Sequence, residues 1–201
     1  LMRLLQPDLL WVTIQSSLLL SAFMFSYYSI SFWYPTFLRE QGLDPLRYLV
    51  AFNGAAIVGI ALWGRASEGA IGRRGAVTLA ALSGVGLAPL FLTTSSTALL
   101  LVGALAMGAT GGGIWGMAPA YLTERFPTAV RGVGPGLSYH VGAAVGSATP
   151  LVLGQLQDGG MTIAGAMTLS IVASGLVVAA VIWLGPETRG RHFTAVDEVQ
   201  T

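Results

Sequence analysis

His140 lies in a long run without a charged residue, and an imidazole among apolar side chains can take up and release a proton near neutral pH. Charging it in hydrocarbon is expensive, so a group of this kind inside an apolar segment ordinarily faces a cavity or a partner. Helical spacing puts Gly136, His140, Ala144 and Ser147 on one face, a narrow stripe of small and polar residues. The stripe fits a proton-carrying group, and it fits equally a neutral histidine hydrogen-bonded between helices. Tyr27, Ser31 and Tyr34 recur at i, i+4 and i+7 in another apolar run that also holds Gln15 at a deeper level. Gln15 and Tyr27 are candidate contacts for a polar solute, although tyrosines near the end of a span also serve as interfacial anchors.

Charge is scarce and confined. Only 9% of the 201 residues are charged, and the basic ones are all arginine. Residues 63–75 hold Arg65, Glu68, Arg73 and Arg74 among turn-forming glycines. A second group is Glu124, Arg125 and Arg131; a third is Glu187, Arg189 and Arg191. Long uncharged hydrophobic segments separate the three, so each reads as a short aqueous loop between membrane helices.

The segments between them set the architecture. The chain is 54% hydrophobic with mean hydropathy +0.70, a balance found in membrane proteins. A crossing needs roughly 20 apolar residues, and six candidate spans cover 9–38, 48–63, 76–93, 98–122, 133–156 and 162–184. Pro35 disfavours continuing the first helix, and the polar cluster 93–97 is placed as a turn splitting a charge-free region too long for one crossing. The expected fold is an all-α membrane protein, a six-transmembrane-helix bundle over residues 1–187, followed by a tail at 188–201. Alternating sides, the spans leave only Arg39 and Arg47 on one face and every other arginine on the opposite one. The excess of arginine predicts that both termini are cytoplasmic, in a plasma (inner) membrane. A secretory signal is disfavoured, because the first apolar segment is too long for one.

Glycine spacing adds a packing expectation. Gly108, Gly112 and Gly116 repeat every four residues, as do Gly142 and Gly146, and small residues at that interval let helices approach closely. The cluster 111–113 is also placed to bend its helix.

Other chemistries find little support. A net charge of +1 offers no footprint for nucleic acid. Without cysteine there are no disulfides or thiolate metal sites, and no His-Glu-x-x-His is present. An intramembrane serine protease needs a serine in a Gly-x-Ser-Gly setting with a histidine on a neighbouring helix. Ser83 and Ser174 each precede a glycine but lack the first one.

Together the charged loops resemble a known family. Residues 64–68 followed by Gly72-Arg73-Arg74 are similar to the loop signature of the major facilitator superfamily, with glutamate where aspartate is commoner and one extra residue before Gly72. Residues 124–132, Glu-Arg-Phe-Pro-Thr-Ala-Val-Arg-Gly, resemble the loop between the tenth and eleventh helices of sugar-porter-like and organic-anion members. Residues 186–191, Pro-Glu-Thr-Arg-Gly-Arg, resemble the element after their last helix. The resemblance implies the C-terminal six-helix half of a secondary transporter, not an enzyme, working by alternating access.

It also implies roles. Glu68, Arg73, Arg74, Glu124, Arg125, Arg131, Glu187 and Arg189 become a cytoplasmic gate that latches helix ends in one state and releases them in another. The bland alternative is that the arginines set topology and bind lipid headgroups. The first and fourth spans correspond to cavity-lining helices, which brings Trp115 into the substrate and proton pathway with Gln15, Tyr27 and His140. The wording of 124–140 looks closer to the carboxylate-carrying branch of sialate, lactate and aromatic-acid proton symporters than to hexose carriers, with a sugar or other metabolite as the alternative cargo. The implied partners are a small solute, membrane lipid and an N-terminal six-helix half. No cofactor beyond a coupling proton is expected, and a further reading is that the half alone transports nothing.

Overall fold

The computed structural model describes residues 2–190; the expected tail from Arg191 onward lies outside the described residues, while Thr188, Arg189 and Gly190 at its start are described. Among the described residues there is no strand. The main helices are α1 (Pro7–Glu40), α2 (Pro45–Glu68), α3 (Gly72–Leu92), α4 (Thr97–Gly111), α5 (Ala118–Arg125), α6 (Val133–Gly146), α7 (Thr149–Asp158) and α8 (Ile163–Val181). Their boundaries follow local chemistry. Pro45 opens α2 behind an Asp44 carboxylate that accepts the Leu46 N–H at 3.1 Å, and Thr162 caps α8 through the Gly165 N–H. Gly42 and Gly160, at φ +71° and +92°, take the left-handed turns after α1 and α7.

Five helices are long and apolar enough to cross a membrane: α1, α2, α3, the continuous 97–125 segment and the segment from α8 to Leu184. The expected single span over 133–156 is instead two shorter helices, α6 and α7, which meet at Ser147 and Ala148. Pro150 has no N–H to return to the carbonyl one turn earlier, which loosens the ladder there. Proline does not end α1, however: the helix runs five residues beyond Pro35, through Glu40. Membrane helices tolerate such interior prolines because neighbours re-satisfy the freed backbone.

The 97–125 crossing changes pitch at the glycine cluster. Between α4 and α5 the chain passes through a 3-10 stretch, Gly112–Gly116, which carries Trp115.

Packing is tightest where the small residues lie. A Cβ at Gly108 would sit 2.1 Å from the Phe52 carbonyl oxygen, and one at Gly116 would sit 2.2 Å from that of Ile60. At Gly112 it would meet the Ala56 methyl at 2.6 Å. The two backbones of α2 and the α4 crossing are therefore in direct contact. Gly142 and Gly146 do the same for α6 against α1, where a Cβ would meet Leu20 and Tyr28 at 2.9 and 2.8 Å. Two large apolar clusters fill the interior, one around Tyr34, Phe52 and Phe91 and one around Phe23, Met117 and Tyr121 at the other end, with a smaller third of Leu4, Leu9 and Phe126. Only 17% of the apolar window of α2 is buried, the lowest share of the five long helices.

Candidate functional site

The α2–α3 loop, the α5–α6 loop and the chain's last described residues converge at one end of the bundle. Arg73, the second residue of α3, is at the centre, with its side chain only 6% exposed. Its Nε and Nη2 donate to the two Glu124 oxygens at 3.1 and 2.8 Å, and its Nη1 donates to the Ser67 hydroxyl at 2.6 Å. This fork-to-fork geometry is the strong form of an arginine–carboxylate bond. Glu124 is 11% exposed, so the pair is shielded from water on both sides. Glu68 approaches Arg73 at 2.5 Å but is 61% exposed, which makes that contact a minor contributor to stability.

Glu187 closes the cluster. Its carboxylate lies over the start of α3 and accepts the backbone N–H groups of Arg73 and Arg74 at 2.9 and 3.1 Å. Those are two of the donors a helix start leaves without partners, and the helix dipole favours an anion there. Gly72 makes this possible: it has φ +68°, and a Cβ would sit 2.5 Å from a Glu187 oxygen. Burial raises the Glu187 carboxyl, but backbone N–H groups of Arg189, Arg73, Arg74 and Thr188 outweigh it and hold the group below the ordinary glutamate value. Thr188, fully buried, donates its hydroxyl to Glu124 at 2.6 Å. The Arg189 guanidinium donates to the Gly69 carbonyl. Arg74 donates to the Gly185 carbonyl at 3.1 Å and lies 4.0 Å over the Trp183 ring.

The remaining charged candidates attach nearby. Arg131 Nε donates to the Thr123 carbonyl at 3.2 Å. Arg125 Nη2 donates to Gln15 Oε1 at 3.2 Å, while Gln15 Nε2 donates to the Val181 carbonyl at 2.9 Å. Gln15 is completely buried, and it ties α1 to the ends of α5 and α8. It stands twelve residues from Tyr27 on α1, about 18 Å at 1.5 Å per residue. The structure thus groups Gln15 with the charged end and not with Tyr27.

Tyr27 and Trp115 do come together, through their rings, and His140 is linked to them only through its chain neighbour Tyr139. Trp115 meets Phe23 and Tyr27 of α1 edge-on at 4.9 and 5.9 Å between centroids. On its other side Tyr139 lies at 6.1 Å, and Tyr139 meets His140 edge-on at 5.6 Å. Tyr139 and His140 are exposed on the surface of this bundle. Tyr34 and Ser31 do not share that wall, since Tyr34 is buried against Phe91 and Ser31 is exposed. Ser174 donates to the Ser170 carbonyl of its own helix, and among the described residues no acidic and histidine cluster is placed to hold a metal.

Comparison with known proteins assigns these features a context. A niacin transporter of Acinetobacter baylyi is 28% identical over 183 residues, covering 86% of this chain and 40% of that protein. The cis,cis-muconate transport protein of the same organism is 31% identical over 140 residues, covering 68% of this chain and 34% of that protein. A Bacillus subtilis protein named as a niacin/nicotinamide transporter is 27% identical over 180 residues, covering 88% and 45%. The chain is a relative of bacterial membrane transporters. Its charged loops resemble those of the major facilitator superfamily, and they sit on an all-helical bundle. It spans less than half the length of the relatives it matches, and no family model matches it.

Residues that sequence reasoning passed over are Ser67, Thr188, Gly185 and Tyr139. Thr188 stood inside the third loop motif and Tyr139 beside His140, so both were next to a recognised signal. Gly185 is required because a Cβ there would lie 2.1 Å from the Tyr121 hydroxyl, a constraint that only the fold reveals.

Proposed function

We propose that the protein carries a small organic acid across the inner membrane by alternating access, coupled to a proton, with this chain as its C-terminal six-helix half. The supporting observation is the division of the bundle into two zones: a shielded ion-pair cluster joining four helix ends, and an aromatic wall ending at His140 on a face that this half leaves uncovered. Relatives named for muconate and niacin supply the cargo class.

In this reading the charged end is cytoplasmic. Arg73, Glu124, Glu187 and Thr188 hold α3, α5 and the post-α8 strap as one body, so that end moves as a unit when the pathway opens or closes. Arg74, Arg125, Arg131 and Arg189 fasten its edges through backbone and amide acceptors. An N-terminal six-helix half covers the face carrying Tyr27, Trp115 and His140, and the solute travels between the halves. His140 exchanges the coupling proton. The titratable side chains of its own helix and of α1 that flank this wall are the phenols Tyr139, Tyr27 and Tyr28.

Uptake of labelled nicotinate and muconate by the whole protein in proteoliposomes, with and without an inward proton gradient, tests the proposal. Accumulation that collapses with an uncoupler is expected. Uptake indifferent to the gradient removes the proton, and an unchanged pH profile in His140→Gln removes the histidine.

A further inference from the structure

Ahead of α1 the chain makes a 3-10 turn, Met2–Leu5, that sends one side chain inward. Leu4 is fully buried, whereas Met2 and Leu5 are 83% and 60% exposed. Leu4 packs with Leu9 and Phe126, and Val12, Val130 and Leu137 close around them. The surface it enters thus belongs to three parts of the fold: the first turns of α1, the α5–α6 loop and α6 itself. The backbone of the turn is fastened too, because the Thr13 hydroxyl donates to the carbonyls of Leu4 and Leu9, each at 3.0 Å. An exposed Arg3–Asp8 ion pair at 2.8 Å adds little to this.

What Leu4 meets leads directly to the buried ion pair. Glu124, Arg125 and Phe126 are consecutive, and each holds a different anchor. Glu124 forks onto Arg73 of α3, Arg125 donates to Gln15 of α1, and Phe126 joins the cluster around Leu4. The Phe126 ring has no room to retreat toward α6, since a Cβ at Gly134 would lie 2.5 Å from it. Groups packed this closely shift together. Withdrawing Leu4 gives the ring a space to move into, and Glu124 stands only two residues before it at the end of α5.

We infer that the apolar surface made by Leu9, Phe126, Val130 and Leu137 is a docking site for the chain's own entry turn, and that Leu4, seated there, steadies the Arg73–Glu124 pair through Phe126. A pull on the chain ahead of α1 then reaches the ion pair by lifting one leucine. The inference takes from the transport reading only that more chain precedes the turn, and it is indifferent to the cargo. It gives the Met2–Leu5 turn and Phe126 a role that the charges of the loop motifs do not mark.

The test uses the whole protein in nanodiscs and the alkylation of single cysteines by N-ethylmaleimide, in a background without other cysteines. Ser67 is fully buried and its hydroxyl accepts from Arg73, so Ser67→Cys reports opening of the ion-pair cluster. Ile163, buried at the start of α8, supplies Ile163→Cys as a reporter in the other apolar cluster. Leu4→Ser is expected to speed alkylation at position 67 at least fivefold, the scale of coupling between two sites, and to leave position 163 unchanged. Leu4→Met, which conserves volume, and Leu5→Ser, on the exposed neighbour, are expected to leave both rates alone. Coupling is reciprocal, so Glu124→Gln is expected to speed tryptic cleavage after Arg3 by a similar factor. A rate at position 67 that ignores Leu4→Ser overturns the inference, as does Glu124→Gln that leaves cleavage after Arg3 unchanged. Equal acceleration at positions 67 and 163 overturns it as well, because Leu4 then supports the fold in general. None of these rates depends on uptake, so a failure of the transport reading would show separately.

Discussion

Arg73 and Glu124, 51 residues apart in sequence, form a two-point ion pair with both side chains nearly excluded from solvent. Such a pair costs several kcal/mol per charge to desolvate, so breaking one side is far worse than lacking both. Glu124→Gln is therefore expected to destabilise the protein by about 3 kcal/mol or more, read as a lowered unfolding temperature in detergent. Arg73→Lys keeps the charge but loses the fork and should recover only part of that loss. A Glu124→Gln protein as stable as wild type would show that the pair contributes nothing.

Glu187 gives the charged end a defined response to acid. Its folded-state carboxyl titrates below the ordinary glutamate value, so its contribution is fully present above that value and is lost as pH falls through the depressed one. Unfolding temperature followed downward from neutral pH should decline in that acidic window. Glu187→Gln should start lower and show a flatter decline. Parallel curves for the two proteins would remove Glu187 as the cause.

Glycines at the α2–α4 contact and on the open face of α2 should behave oppositely. Gly108→Ala forces apart two touching backbones and is expected to cost about 1–3 kcal/mol. At Gly54 a Cβ meets nothing within 4 Å, and Gly54→Ala should be neutral or stabilise by up to about 1 kcal/mol. Paired thermal denaturation of the two variants checks the contrast.

Gln15 bridges Arg125 and the Val181 carbonyl while fully buried. Gln15→Leu leaves those partners short of an amide and is expected to cost about 1–3 kcal/mol, with KM for transport unchanged. A raised KM at unchanged stability would return Gln15 to the solute pathway.

The all-helical membrane bundle was legible from hydropathy because crossing a bilayer imposes a length and a polarity that few sequences meet by accident. The charged end was legible in outline because so few charges exist that each group stands out. Partners were harder to foresee. Gln15 and Tyr27 lie on one uncharged helix, and nothing in composition says that an amide at one level serves a guanidinium while a phenol at another serves a wall of rings. Likewise Pro35 and Pro150 look alike in the sequence, yet α1 continues past the first and a helix break at Ser147 and Ala148 immediately precedes the second. What separates them is the surrounding packing, which hydropathy does not encode. Tyr139 was hidden for a related reason, since a lone tyrosine in an apolar run carries no period of its own.

The start of α3 is completed by a carboxylate that follows it by 114 residues. During synthesis, at about 5–20 residues per second, α3 therefore waits on the order of ten seconds before Glu187 leaves the ribosome. Its leading amides spend that interval in a provisional arrangement. The charged end is accordingly the last part of this bundle to mature, and a ribosome stalled short of residue 187 would hold the helices in the bilayer with that end still unlocked.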